Sequence, residues 1–422
     1  MVYRMEIPKD KAFDSSLALL REGYRFIPNR RRKFQSDIFE VTLMGQKAIC
    51  ISGPEAAKIF YNERNFKRRN ASPRRIRKSL FGDGGVQTLD DAAHRKRKSL
   101  FMSLFSEEHI EKLKQLTTNE WEALVERWTS MEEVNLFQET KKVMCRIACK
   151  WAGVPVSDAK IEKHANNLWA LVDSFGAVGI RHWQGRIARK MTNRWIENII
   201  QQLREGKLQA GKDTALYKIA WYQDDNGKLL DEKVAAVEII NILRPIVAIS
   251  LYVLFGALAL YTHPKEREKL KAGGTEYTRI FTQEVRRYYP FTPFTGARVR
   301  ENFYWAGHHF LKNQLVLLDV YGMNHDDRIW DSPSEFRPER FKVKRLNEYD
   351  FIPQGGGEYI RNHRCAGELV TITVMEKSFE FLTNKITYTV PKQDLQISGI
   401  RMPPMINSGF IIKNIKSLEG KL

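Results

Sequence analysis

The chain has 422 residues, of which 43% are hydrophobic, so it is long enough to bury a large core. Its four cysteines are too few for a disulfide-stabilised scaffold of this length, and we therefore expect a reducing, cytoplasmic location. The first sixteen residues contain no long apolar segment, which argues against a secretory signal. No linker, repeat or low-complexity stretch divides the sequence, so a single large domain over residues 1–422 is predicted.

The formal net charge is +19, which makes nucleic acid the first partner to consider. The basic residues are spread along the chain and form no nucleic-acid-binding motif, so no nucleic-acid partner is expected. Such a field also suits anionic substrates, a membrane surface or an acidic redox partner. We expect most of this charge to be solvated surface.

The order of the predicted elements indicates a helical protein with short strands near both ends. FEVTLMG and KAICIS have strand character early in the chain. Helical patterning dominates from about Ser106 to Asn384, as in EEHIEKLKQLTTNEWEALVERW. Strand-like segments recur late, in ENFYWAG, QLVLLDVYG, ITYTV and SGFIIKN. The sequence therefore predicts a mainly α fold with small β-sheet regions.

Two cysteines fall within the helical region. Cys145 and Cys149 are four residues apart and would share one face of a helix. Metal binding is one interpretation, but two small buried side chains is the better one.

One segment resembles a membrane span in length. Residues 245–261 are 17 uncharged residues, which is the lower limit for crossing a bilayer. Because Arg244, Glu238 and Asn241 lie at or before its start, a long buried core helix is favoured and no membrane insertion is expected. Pro245 would remove a hydrogen bond and bend this helix. Arg244 would need an anion there, either a nearby glutamate or a ligand.

The last third of the chain carries three further patterns. Glu284 and Arg287 are three apart on a helix that ends before Pro290, and Arg340 lies in the loop SEFRPERF. Cys365 follows a glycine-rich loop and precedes an amphipathic helix. A thiol at a helix N-terminus meets free N–H groups and the positive end of the dipole, which lower its pKa. Such a thiolate is a nucleophile, a redox thiol or a metal ligand; an ordinary buried cysteine is the alternative.

Taken together and in this order, the E-x-x-R helix, the F-R-P-E-R-F loop and the Gly-rich cysteine loop resemble the cytochrome P450 superfamily. The resemblance implies that Glu284, Arg287 and Arg340 form a buried charge network that holds the cysteine loop. It also implies that Cys365 ligates the iron of haem b, where its thiolate donates electron density and favours O–O cleavage. The superfamily usually has phenylalanine seven residues before the cysteine, whereas this chain has Glu358.

The Arg244–Pro245 pair and the loop QGGG…NHRCAGE resemble the bacterial fatty-acid peroxygenases. These enzymes use hydrogen peroxide and either hydroxylate fatty acids at the α or β carbon or decarboxylate them to terminal alkenes. The similarity extends to SPRRIRKSLFG, HRKRKSLFMSL, ALVDSF, EVRRYYPFTPF, LLDVYGMNHD and RMPPMINSGF. It implies that Arg244 binds the carboxylate of a long-chain fatty acid where other members keep an acid and a threonine.

That resemblance gives the substrate a part in catalysis. A carboxylate held by Arg244 would take a proton from peroxide and return it to the leaving oxygen. The same anchor would let only carbons near the carboxyl group reach the oxidant. Phe81 and Gln87 match positions beside the substrate; relatives have histidine or glutamine at the latter, and glutamine is linked with hydroxylation. Phe291 and Phe294 would line an acyl pocket or belong to the core.

The resemblance also implies which residues bind the haem propionates, and basic side chains suit these carboxylates. On residue pattern alone these charges are solvated surface. The matched positions are Arg68, His94, Arg97, Lys98 and His363.

Two other functions compete with the peroxygenase. A haem-thiolate monooxygenase would receive electrons from a ferredoxin, but the acid–threonine pair is missing and no obligatory redox partner is expected. A non-catalytic haem-binding protein would need neither Arg244 nor an acyl pocket.

Overall fold

The computed structural model describes residues 6–224 and 226–418. The helices in the first half of the chain are α1 Ser16–Glu22, α2 Phe26–Phe34, α3 Pro54–Phe60, α4 Arg74–Ile76, α5 Asp91–Met102, α6 Glu107–Glu122, α7 Val125–Thr129, α8 Leu136–Ala152, α9 Asp158–Asp173 and α10 Ile180–Arg204. The second half contains α11 Ala215–Ala220, α12 Glu232–Thr262, α13 Pro264–Tyr288, α14 Val320–Met323, α15 Arg340–Val343 and α16 Glu368–Glu380. Shorter helical turns lie at Gly23–Arg25, Arg77–Phe81, Val86–Thr88 and Phe381–Lys385.

The strands of the described residues form three small sheets. They are β1 Ile38–Leu43, β2 Gln46–Ile51, β3 Phe66–Lys67, β4 Glu133–Asn135, β5 Phe294–Val299, β6 Phe303–Trp305, β7 His308–Phe310, β8 Leu315–Asp319, β9 Ile386–Thr389 and β10 Ile411–Ser417. The largest sheet has the order β1-β2-β8-β5-β3, in which only β2 and β8 pair in parallel. The other sheets are β4-β10-β9 and the β6-β7 hairpin. The predicted mainly α fold with small sheets is confirmed, and each strand-like segment of the sequence contains a strand.

Helix α12 is the centre of the helical core. It begins at the N-cap Asp231, whose carboxylate accepts the N–H of Lys233 at 2.9 Å, and it continues through Pro245. Its apolar window is long enough to span a membrane, but 94% of that window is buried inside the protein. The helix packs against α8, α9, α10, α13 and α16. The prediction of a buried core helix is therefore confirmed.

Helix α13 bends at Gly274, whose φ of +55° is accessible to glycine at little cost. Cys145 and Cys149 lie in α8 with their side chains fully buried in the main core. Among the described residues no cluster of His, Cys, Asp and Glu is arranged to hold a metal ion. The interpretation as core residues is therefore the one that fits.

Candidate active site

Cys365 lies in a turn immediately before α16, and the loop before it reverses direction at Gly355 and Gly357, whose φ values are +94° and +82°. The Cys365 N–H donates to the Gln354 carbonyl at 3.0 Å, which closes the loop. Gln354 in turn donates to the hydroxyl of Thr371 at 3.0 Å, on α16. The backbone that carries the thiol is thus fixed on both sides.

The expectation of a lowered pKa at Cys365 is not met. Burial raises the pKa of this thiol, and the nearby carboxylate of Glu368 raises it further. The expected opposing effects are present, because the Gly367 N–H and the charges of Lys98 and Arg286 lower the pKa, but burial outweighs them. A bound metal cation would be needed to keep this sulfur as thiolate, since a coordinating thiol is deprotonated outright.

The residues of the E-x-x-R pattern form a buried ionic network. Arg287 donates two hydrogen bonds of 2.7 Å to the Glu284 carboxylate, and Arg340 donates to the same carboxylate at 3.2 Å. The remaining N–H groups of the two arginines donate to carbonyls of Asn324, Asp331, Ser332, Pro333 and Glu335. This network therefore fixes the segment 324–340, not the cysteine loop as the sequence suggested.

Arg286, which the sequence pattern did not single out, contacts the cysteine loop instead. It donates to the side-chain oxygen of Gln354 at 2.8 Å and to the Glu368 carboxylate at 2.5 Å. Glu368 also accepts from Arg364 at 2.6 Å. Consecutive helical residues point about 100° apart, so Arg286 and Arg287 face different loops. A spacing rule for one helix face cannot identify both.

On the opposite side of the site, Arg244 of α12 is 5% exposed. Its guanidinium donates to the carbonyl of Leu80 and lies 5.9 Å from the centre of the Phe81 ring. Within the described part of the chain it forms no ion pair with a carboxylate. Burial and the neighbouring Arg189 lower the pKa of Arg244 to about 9, whereas Cys365 raises it. The thiol of Cys365 and this guanidinium are therefore close enough to interact electrostatically.

Gln87, in the helical turn Val86–Thr88, belongs to a chain of hydrogen bonds that continues on α12. Its side-chain oxygen accepts from Asn241 at 3.1 Å, and Asn241 also donates to Glu238 at 3.0 Å. Glu238 is fully buried and pairs with Arg97 at 2.5 Å. These hydrogen bonds tether Gln87 to the core helix.

The five basic residues matched to propionate binding are assembled around the other edge of the site. The rings of His94 and His363 stack with centroids 3.7 Å apart, and Lys98 donates to the carbonyl of Arg364 at 2.9 Å. Arg68 lies 4.3 Å from the centre of the Phe60 ring. Burial lowers the pKa of His94 to about 3, of His363 to about 4 and of Lys98 to about 8.

The predicted pocket phenylalanines occupy different places. Phe291 stacks on Tyr252 of α12 with ring centroids 4.8 Å apart. Phe294 begins β5 and packs against the cluster between α2 and the large sheet. The contacts of Phe291 connect it to the helix that carries Arg244, whereas those of Phe294 do not; a role for either in an acyl pocket stays a prediction.

Haem fits the residues of this site. Two buried nitrogens, Nδ1 of His94 and Nε of Arg97, have no hydrogen-bond partner in the described structure, so this edge can donate hydrogen bonds to further acceptors such as carboxylates. Pro245 is exposed in the middle of an otherwise buried helix, and Leu369 is 42% exposed directly after the cysteine turn. Exposed apolar side chains on α12 and α16, a thiol and a basic edge together match a flat apolar ring with two carboxylates.

The comparison with protein families decides the assignment. The family model described as Cytochrome P450 matches residues 17–153 and 274–394. The chain is a cytochrome P450. Among curated relatives, protopanaxadiol 6-hydroxylase of Panax ginseng is 23% identical over 393 residues, covering 85% of this chain and 81% of that protein.

Solved structures place this cytochrome P450 among the fatty-acid peroxygenases, as the resemblance predicted. Cytochrome P450EXα, solved with myristic acid, is 43% identical, with 98% of this chain and 100% of that one covered and a TM-score of 0.95. A variant of cytochrome P450 OleT, in complex with arachidonic acid, is 36% identical, with 99% and 100% covered and a TM-score of 0.96. The enzyme is therefore an oxidoreductase of the type that uses hydrogen peroxide.

Proposed function

We propose that this cytochrome P450 hydroxylates long-chain fatty acids at the α or β carbon with hydrogen peroxide, and that Arg244 holds the substrate carboxylate. One observation carries the proposal: a guanidinium that is 5% exposed has no carboxylate partner in the described structure. A buried charge without a counter-ion is costly, and the Leu80 carbonyl supplies only a partial negative charge. A fatty-acid carboxylate supplies the missing anion.

The surroundings of Arg244 favour an anion with an apolar tail. Arg189, on α10, donates to the same Leu80 carbonyl at 3.0 Å, so two guanidinium groups converge on one backbone oxygen. Their mutual repulsion is relieved when an anion binds between or beside them. Phe81 provides an apolar wall 5.9 Å from the Arg244 guanidinium. The relatives solved with myristic and arachidonic acid support a long-chain substrate.

Helix α12, which carries Arg244, offers no free carboxylate close to this arginine to move a proton. The acidic residues of α12 are Glu232, at its first position, and Glu238, which is bound by Arg97. The substrate carboxylate is then the acid–base group: it accepts a proton from hydrogen peroxide and returns it to the oxygen that leaves as water. Bound haem, with iron ligated by Cys365, supplies the oxidising chemistry.

Regiochemistry follows from the anchor. Because the carboxylate is fixed by Arg244, the α and β carbons are the ones held at the reacting position. His94, Arg97, Lys98, Arg68 and His363 would pair with the propionates and fix the plane of the ring. Gln87, whose side chain is held by Asn241, would face the substrate and favour hydroxylation over decarboxylation.

The decisive experiment mixes purified haem-loaded protein with palmitate and hydrogen peroxide in the absence of any reductase. We expect 2- and 3-hydroxypalmitate, with pentadecene as a minor product, read by mass spectrometry. A parallel reaction receives ferredoxin, ferredoxin reductase and NADPH, with catalase to remove peroxide. Turnover only in that second reaction would identify a monooxygenase, and turnover in neither would contradict the proposed activity.

A further inference from the structure

A stripe of exposed apolar side chains runs along one face of α10. Ile180, Trp183, Ile187 and Met191 are 78%, 64%, 60% and 38% exposed, and Val178 just before the helix is 53% exposed. Spacings of three, four and four residues place these side chains on one helix face. Isolated exposed apolar residues are ordinary on proteins, but a continuous row of this kind marks an interaction site. We call this row the α10 stripe.

The opposite face of α10 holds the helix in place. Gly185 and Ala188 are buried, and a Cβ at Gly185 would lie 2.2 Å from the Cβ of Ser174, so α10 is packed closely on the end of α9. The buried Arg189 donates to the Leu80 carbonyl. The helix is therefore anchored by its inner face, and the α10 stripe is free to contact something outside the fold.

The two chain segments that flank the stripe carry basic side chains and no acidic ones. Residues 174–196 contain no aspartate or glutamate, and neither do residues 64–82. These two segments touch, because the guanidinium of Arg75 donates to the Ala177 carbonyl and Arg189 to that of Leu80. In the described part of the chain no ion pair neutralises the basic side chains Arg74, Lys78, Arg186, Lys190 and Arg194. An apolar row between unpaired cations results.

The stripe also lies next to the substrate site. The carbonyl of Leu80 accepts from Arg189 on the inner face of α10 and from Arg244 on α12. One helix thus separates the proposed carboxylate site from the exposed row. A ligand that binds the outer face of α10 is held close to the place where a fatty acid is oxidised.

We infer that the α10 stripe and its flanking cations bind the surface of a membrane that contains anionic lipid. A helix with apolar residues and tryptophan on one face, flanked by lysine and arginine, is the pattern of interfacial membrane binding, in which the helix lies on the bilayer without crossing it. A second copy of the chain is disfavoured as the occupant because it would bring two clusters of positive charge together. A nucleic acid would satisfy the cations but not the apolar row.

On the proposed function, this surface lets the enzyme take fatty acids directly from the lipid phase. Long-chain fatty acids partition into bilayers, where their carboxylates lie among the headgroups. Membrane binding itself does not depend on the reaction. A failure of lipid binding would leave the peroxygenase assignment untouched, and a failure of peroxide-driven turnover would leave the lipid-binding surface untouched.

The test is co-sedimentation of the haem-loaded protein with vesicles of phosphatidylcholine alone or of phosphatidylcholine mixed with phosphatidylglycerol. We expect binding to the mixed vesicles that weakens with added salt. The variant Ile180→Asp with Ile187→Asp and the variant Lys190→Glu with Arg194→Glu should each lower the partition coefficient at least about tenfold, since each basic residue near an anionic surface contributes roughly 1 kcal/mol.

Matched control variants introduce the same types of substitution at exposed positions outside the α10 stripe. Val343→Asp alters a side chain that is 85% exposed on α15, and Lys212→Glu with Lys228→Glu reverses two exposed charges, one in the loop after α10 and one in the loop after α11. These controls should bind vesicles as the unchanged protein does. Tryptophan fluorescence adds a local readout, because a blue shift on vesicle binding should be lost in Trp183→Phe.

Three results would overturn the inference. The first is no binding of the unchanged protein to mixed vesicles. The second is equal loss of binding in the stripe variants and the controls. The third is concentration-dependent dimerisation in sedimentation velocity that Ile180→Asp with Ile187→Asp abolishes while vesicle binding is absent, which would make the stripe a contact between copies of the chain.

Discussion

The two sides of the active site treat buried charge in opposite ways. On the cysteine side, Glu368 accepts from Arg286 and Arg364, and Glu284 accepts from Arg287 and Arg340, so each carboxylate has two arginine partners. On the substrate side, Arg189 and Arg244 share one backbone carbonyl and have no carboxylate in the described structure. On the cysteine side, the buried charges are therefore fully paired within the protein, and we call this side saturated. On the substrate side, the two arginines have no carboxylate partner, and we call this side unsaturated.

This contrast distinguishes residues that stabilise the fold from residues that are available to bind a ligand. A fully paired buried network fixes one conformation and gains nothing from a further partner. An unpaired buried cation has a free energy that a ligand can lower, and such groups concentrate at functional sites. The following substitutions test whether the paired charges stabilise the fold and the unpaired charge binds the substrate.

Replacement of Cys365 should have the largest effect, because it removes the side chain that is proposed to bind the haem iron. In Cys365→Ala we expect complete loss of the thiolate-type Soret band of the carbon monoxide complex and of fatty-acid turnover. Cys145→Ala, a buried cysteine of α8, is the control and should keep both. A thiolate-type band that persists in Cys365→Ala would reject the ligand assignment.

Removal of one partner from the saturated network should destabilise the protein. Glu284→Ala leaves Arg287 and Arg340 buried without a carboxylate, which costs about 3–5 kcal/mol. Urea unfolding followed by circular dichroism should show this loss, whereas Glu276→Ala, an exposed acid on the same helix, should change stability little. Equal stabilities for the two variants would mean that the network does not hold segment 324–340.

On the unsaturated side, substitution should affect binding more than stability. A charge-assisted pair at a desolvated site contributes roughly 2–5 kcal/mol, so Arg244→Ala should lower fatty-acid affinity at least about tenfold. Activity with peroxide should fall further, because the acid–base group is lost with the substrate. Substrate-induced shifts of the Soret band measure the affinity.

A short carboxylic acid added with a substrate that lacks a carboxylate separates the two losses. In the unchanged enzyme the acid should restore peroxide-driven oxidation of the second molecule. In Arg244→Ala it should not, since nothing holds the acid. Near-normal turnover of fatty acid in Arg244→Ala would assign this arginine to the fold and remove the contrast between the two sides.

The smallest effect is expected at Gln87, which is already tethered to Asn241. Gln87→His should raise the share of terminal alkene among the products while total turnover stays within a few-fold of the original. Gas chromatography of the products measures the ratio, and Thr88→Val, at the next position, is the control. An unchanged ratio with full activity would show that Gln87 does not steer the reaction.

Short sequence patterns identified many of the candidate site residues, because the chemistry of each residue requires a particular local backbone structure. The thiol needs a turn before a helix, and the spacing of Glu284 and Arg287 follows from the helical repeat. Arg286 was missed for the same reason, since a pattern built on one helix face ignores the neighbouring residue that points elsewhere. The hydrogen bond between Gln87 and Asn241 could not be predicted from the sequence either, because the two residues are 154 positions apart in the chain.

The sequence by itself determined the fold class and the family, and it singled out Cys365 and Arg244 as candidate site residues, since each of these depends on residue type and short-range order. Only the tertiary structure decided which charges are paired. Burial and distance between segments set the pKa of Cys365 and left Arg244 without a carboxylate. The tertiary structure also decided that one acid-free segment packs beside another, which turned dispersed charge into a basic surface around the α10 stripe.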